Sequence, residues 1–275
     1  MGVSAEESQP TPRAPQRPAR VTYVGHATAL IELDGVRLLT DPVLRPRILH
    51  IARHAAPPAP EISEDIDAVL LSHLHHDHLD VASLRQLGKD VRVLVGKGGA
   101  RTLRRRGFRA VDELAPGEAT RVGEVEVVAT EADHEGRRFK LGPAVEALGY
   151  DVRGSHRVYF AGDTDLHPGM SKLAGAAGGA GAGGQIDVAL LPIGGWGTKI
   201  GPGHLDGDRA ARAAAMIQPR AVIPIHWGTL AQHGLSDTLR ERILRDPPGR
   251  LEAALARLAP GVEAAILEPG ETYEL

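Results

Sequence analysis

A short apolar stretch, Asp67 to Ser72 (DAVLLS), runs directly into His73-Leu74-His75-His76-Asp77-His78, and no other segment of the 275 residues restricts the chemistry so tightly. The stretch reads as a buried strand. A strand end and turn can aim His73 and His75 at one cation while Asp77 and His78 face a neighbouring one. Protonated imidazoles this close would repel, so metal ligation accounts for the cluster better than a solvated turn. His76 interrupts the pattern and is expected to face away. The chain has 13 histidines and no cysteine, which excludes disulfides, thiolate and iron-sulfur sites and a Cys nucleophile. Any metal must bind through nitrogen and oxygen.

A hydrophobic content of 42% supplies a sizeable core, built from aliphatic side chains because aromatics make up only 3%. The net charge of -3 gives no basic footprint for nucleic acid. No apolar run is long enough for a membrane span, and the N-terminus lacks a signal-peptide core, so the expected location is cytoplasmic. Residues 1–19 read as a disordered tail and 20–275 as one domain. Apolar runs opening at Arg20, with a hairpin signal at Asp34-Gly35, predict a meander. Residues 45–66, rich in proline, read as a surface loop able to border a pocket. Short helices are expected at 79–87, 100–106 and 206–216, with one or two more between 235 and 258. Strands are expected around 91–95, 118–130, 144–163, 187–193, 221–225 and 262–267. The Gly-rich segment 174–184 reads as a flexible loop. This order of strands and helices over two halves predicts an α/β fold, a four-layer αββα sandwich.

The segment His73, His75, Asp77, His78 resembles the HxHxDH signature of the metallo-beta-lactamase superfamily, and ADHEGRR, VYFAGDTD and AVIPIHWG follow in the order that family shows. The openings VGHATALIELDG and LLTDPV, and LLPIGGW followed by GHLDGDRAARAA, look like one branch of it. That branch includes N-acyl-phosphatidylethanolamine-hydrolysing phospholipase D and L-ascorbate-6-phosphate lactonase. The resemblance implies that His73, His75 and His134 hold one metal and that Asp77, His78 and His226 hold the other, with Asp163 bridging. A bridging carboxylate argues against beta-lactam turnover. The acidic EADHEGRR and the Gly-rich 174–184 segment depart from the family's usual stretches and bear on substrate.

Imidazole and carboxylate donors suit two zinc ions, with manganese or iron also compatible. Two cations about 3.5 to 4 Å apart would supply a bridging hydroxide for attack on an ester-like bond, a phosphodiester first and a lactone as the alternative. A non-catalytic, metal-stabilised binding protein is the reading from another class. Asp77 is expected to orient the nucleophile and take up its proton. His26 and His204, in Gly-flanked turns, are candidates for a general acid, a substrate contact or an orienting hydrogen bond. Asp41 is a candidate partner for a ligand, and Trp196 either a lid or an ordinary buried aromatic. The expected partner is a small-molecule or lipid-like substrate. For the latter, Ile48, Leu49 and Ile51 beside Arg45, Arg47 and Arg53 offer a possible headgroup site. His50, His54, His156, His167 and His233 are expected at the surface.

Overall fold

The computed structural model describes residues 18–139, 141–174 and 184–275. The expected tail up to residue 17 and most of the expected Gly-rich loop lie outside the described residues.

The first half comprises β1 (Arg20–Gly25), β2 (Thr28–Leu33), β3 (Val36–Thr40), β4 (Arg47–Ile48), β5 (Ile51–Arg53), β6 (Ala68–Leu71), α1 (Val81–Gln86), β7 (Arg92–Gly96), α2 (Ala100–Arg104) and β8 (Val111–Leu114). The second comprises β9 (Ala119–Val122), β10 (Val125–Glu131), β11 (Leu148–Arg153), β12 (Arg157–Phe160), β13 (Val188–Pro192), α3 (Gly207–Ile217), β14 (Ala221–Ile225), β15 (Leu230–Gln232), α4 (Asp237–Arg245), α5 (Pro247–Leu258), β16 (Glu263–Ala264) and β17 (Thr272–Glu274). Two seven-stranded sheets run β17-β1-β2-β3-β6-β7-β8 and β16-β14-β13-β12-β11-β10-β9. The hairpin between β2 and β3 turns at Asp34 and Gly35, both at positive φ as a type I′ turn requires.

Strand β6 shows why its sequence is uninterrupted by polar residues. Ala68 and Leu70 join the core between the two sheets, while Val69 and Leu71 face the other way, onto Leu84 of α1 and Leu103 of α2. Period-two alternation with both faces buried leaves no solvent side. On the far side, α3 lays Ala210, Ala211, Ala213, Ala214 and Ile217 into the core beside α5. Gly207 permits that approach, since a Cβ there would stand 2.8 Å from the Leu251 amide nitrogen. Asp206 caps α3 by accepting from the Arg209 amide. The result is the expected αββα sandwich.

Three departures have local causes. Residues 45–66 are not simply a loop, because β4 and β5 pair with β15 in a small third sheet. Ile48 and Ile51 are buried there with Val43 and Leu230. β8 and β17 are edge strands too short to print a period. The closing strand expected at 262–267 shrinks to β16, and the chain ends instead on β17 against β1. No helix among the described residues is long and apolar enough to cross a membrane.

Candidate metal centre

One rim of the sandwich gathers the ends of β3, β6, β10, β12 and β14, and the loops after them carry Asp41, His73 to His78, His134, Asp163 and His226. His226 and Asp41 occupy the left-handed region at φ 65° and 31°, which turns each sharply off its strand. Asp163 follows Gly162, also at positive φ, where a Cβ would stand 2.5 Å from that of Ser72.

Two clusters result. His73 Nε2 lies 2.9 Å from His75 Nδ1, and His134 Nε2 lies 3.2 Å from the same atom. His226 Nε2 lies 3.3 Å from His78 Nε2, and both are 3.6 Å from Asp77 Oδ2. Ligand atoms about 2.0–2.1 Å from a tetrahedral ion are about 3.3 Å apart, so both clusters are spaced to close on a cation. Asp163 stands between them, with Oδ2 3.0 Å from His78 Nε2 and 4.0 Å from His73 Nε2, and Oδ1 3.3 Å from His226 Nε2. That Oδ1 is buried and receives no hydrogen bond.

The outward nitrogens fix the ring tautomers. Nδ1–H of His78 donates to Asp41 Oδ2 at 2.7 Å, that of His134 to the Gly203 carbonyl at 2.8 Å and that of His226 to the Gly194 carbonyl at 2.9 Å. Ser72 Oγ donates to Asp41 Oδ2 and accepts from His73 Nδ1 at 2.9 Å. In all four rings Nε2 is the inward nitrogen, the one a neutral imidazole turned this way offers to a metal.

Electrostatics agree. Burial, reinforced by the His78 and His134 rings, holds His73 well below the ordinary imidazole range. Burial also takes His134 to about 4 and lowers His75. Burial opposes charge on His78 as well, but Asp163, Asp77 and Asp41 together raise it well above its usual value. Burial similarly works against the carboxylates of Asp77 and Asp163, yet the surrounding histidines hold both well below the normal range. Asp41, Asp77 and Asp163 are thus three buried carboxylates, and among the described residues none is paired with Lys or Arg. Burying that much negative charge is costly without cations.

His26 is 1% exposed, and its Nε2 lies 3.0 Å from Asp77 Oδ2. Burial takes its pKa to about 3, so the ring is neutral and donates to the carboxylate. His204 is half-buried with Nε2 3.3 Å from Asp163 Oδ2; burial opposes its protonation but that carboxylate outweighs it and raises the pKa. Trp196 donates from Nε1 to Asp77 Oδ2 at 2.9 Å. The arginines around the β4–β5 hairpin serve the fold: Arg45 grips Asp80 with two hydrogen bonds, Arg53 donates to the Val24 and Val43 carbonyls, and Arg47 to that of Leu49. His50, His54 and His233 are exposed as expected, whereas His156 and His167 are half-buried.

Arg138 was not singled out by sequence. It bridges the ends of the histidine loop, donating from Nη1 to the Leu74 and Leu79 carbonyls and from Nη2 to His76 Nδ1, which gives His76 a structural partner. Arg138→Ala should cost about 1.5–3 kcal/mol, as for hydrogen bonds to a charged group, read as a lower urea midpoint at unchanged m.

A two-sheet sandwich with paired His/Asp clusters at its strand ends has the architecture of the metallo-beta-lactamase class. The chain matches the family described as Beta-lactamase superfamily domain over residues 36–227 and belongs to it. It is 33% identical over 262 residues to a UPF0173 metal-dependent hydrolase of Methanopyrus kandleri, covering 93% of this chain and 99% of that protein. It is 30% identical over 231 residues to N-acyl-phosphatidylethanolamine-hydrolyzing phospholipase D 1 of Caenorhabditis elegans, covering 76% of this chain and 63% of that protein. The chain spans 66% of the length of the mycobacterial relatives it matches. Its fold is shared with a metallo hydrolase of Ignicoccus hospitalis, at a TM-score of 0.69, 23% identity and coverage of 94% and 100% of the two chains.

Proposed function

We propose that this protein is a binuclear metal-dependent hydrolase of ester-like bonds, with phosphodiesters as the first substrate class. His73, His75 and His134 would hold one divalent ion and Asp77, His78 and His226 the other, with Asp163 shared between them. The observation that carries this reading is the set of four rings whose Nδ1–H groups are tied outward, turning Nε2 inward beside buried carboxylates that, among the described residues, pair with no Lys or Arg. Zinc suits the donors, and bound divalent ions supply Lewis acidity and a nucleophile at neutral pH.

The chain's own groups then divide the remaining work. Asp77, whose Oδ2 accepts from His26 and Trp196, is assigned to orient the attacking water and take up its proton. His26, closed off from solvent, orients that carboxylate. His204 is partly accessible and its protonated form is favoured by Asp163, which suits it to donate a proton to the leaving oxygen. The phosphodiester preference draws on the likeness to the phospholipase D of C. elegans.

Metal analysis of protein purified without chelator, followed by assays with bis-p-nitrophenyl phosphate and a simple lactone, tests the reading. Two equivalents of metal and phosphodiester turnover are expected. Lactone turnover alone would move the reaction to a carboxylic ester, and retained metal with neither activity would make the protein a metal-stabilised binder.

A further inference from the structure

After β13 the chain passes across the metal centre as one strap, residues 194–204. Its Gly194 and Gly203 carbonyls fix His226 and His134, its His204 faces Asp163, and its Trp196 faces Asp77. Trp196 is not placed as a swinging lid. Its ring packs on the patch of Val43, Ile48, Ile51 and Leu230, with His50 edge-on at 5.3 Å between centroids. Its carbonyl accepts from the Gln232 amide at 2.9 Å, tying the strap to β15.

Any large apolar ring could fill that patch. What tryptophan adds is one N–H, a donor only, aimed at a carboxylate oxygen that is itself close to His78 and His226. A carboxylate anchored from one side by His26 alone could turn about its Cβ–Cγ bond. A second donor on the same oxygen, the Trp196 N–H at 2.9 Å beside His26 Nε2 at 3.0 Å, restricts that rotation.

We propose that Trp196 is a positioning residue for Asp77: its indole N–H fixes the orientation of that carboxylate and thereby sets the metal affinity of the Asp77, His78 and His226 cluster, without touching substrate. The inference rests on the metal-binding part of the proposed function and is independent of which bond is cleaved.

Trp196→Phe keeps the ring on its patch and deletes the donor. In chelator competition with zinc, one of the two metal equivalents should weaken about 10- to 100-fold, the range for loss of a group that supports a ligand, while the other holds its wild-type affinity. The melting temperature of the metal-free protein should be unchanged. The chain has two tryptophans, so the indole N–H resonance of Trp196 can be assigned by its survival in Trp227→Phe, and it should shift in Asp77→Asn. Wild-type affinity at both equivalents, equal weakening of both, or an indole resonance indifferent to Asp77→Asn would each overturn the proposal. If Trp196→Phe fails to fold, the resonance decides. Two bound metals with no hydrolysis of either probe would sink the hydrolase reading and leave this comparison intact, because it is read in affinity. With turnover present, kcat should fall and KM stay level.

Discussion

Asp163→Ala protein is expected to lose at least one metal equivalent and more than about 100-fold of its hydrolytic turnover, beyond the usual cost of removing a group that merely supports a ligand. Asp163 faces both clusters at once, with oxygens within 3.3 Å of His78, His204 and His226. Truncation leaves a gap between the two clusters and removes the charge that favours protonated His204. Asp163→Asn separates the two effects. It keeps the shape, so packing survives, but an amide is a poor bridge and cannot stabilise an imidazolium. Metal content by mass spectrometry and turnover of bis-p-nitrophenyl phosphate give the readout. Two equivalents and undiminished turnover in Asp163→Ala would remove Asp163 from the site's chemistry.

The parts of this site that were legible in the sequence are those whose chemistry is local. Four histidines and an aspartate in six residues mark a candidate metal loop before any fold is known, and resemblance then supplies His134, Asp163 and His226, each just beyond a strand. The supporting groups were harder to see because they act across the fold. Arg138 looks like any basic residue until the loop after β10 brings it under the Leu74 and Leu79 carbonyls. Gly194 and Gly203 contribute only main-chain oxygens, which no side-chain pattern encodes. Trp196 could be singled out, but not its partner Asp77, which is 119 residues away. The β4–β5 hairpin escaped for another reason. Strands of two and three residues cannot display a period, and their pairing depends on β15 far along the chain.

Stripping the metal should both abolish turnover and change how stability responds to pH. At metal concentrations about a thousandfold above the dissociation constant, loading is worth about 4 kcal/mol, so the chelated protein should have a clearly lower urea midpoint. Its pH profile follows from the rings. His26, His73 and His134 have folded pKa values below the unfolded 6.5, with His26 at about 3 and His134 at about 4. Between pH 6.5 and about 4 the unfolded chain takes up protons that the native rings refuse, so stability is lost as pH falls. For the fully buried His26 and His73 the slope is about 1.4 kcal/mol per pH unit each. His78 and His204 are shifted the other way, and their contribution is complete below pH 6.5 and lost as pH rises through their folded values. The metal-free protein should therefore be most stable near pH 6.5. A metal held by His78 would take the place of its Nε2 proton, so loading should flatten or reverse the alkaline limb while steepening the acid limb, where protons would compete for the same nitrogens. Urea midpoints from pH 5 to 9, with and without chelator, read this directly. Superimposable profiles would mean that these imidazoles are not where the metal sits.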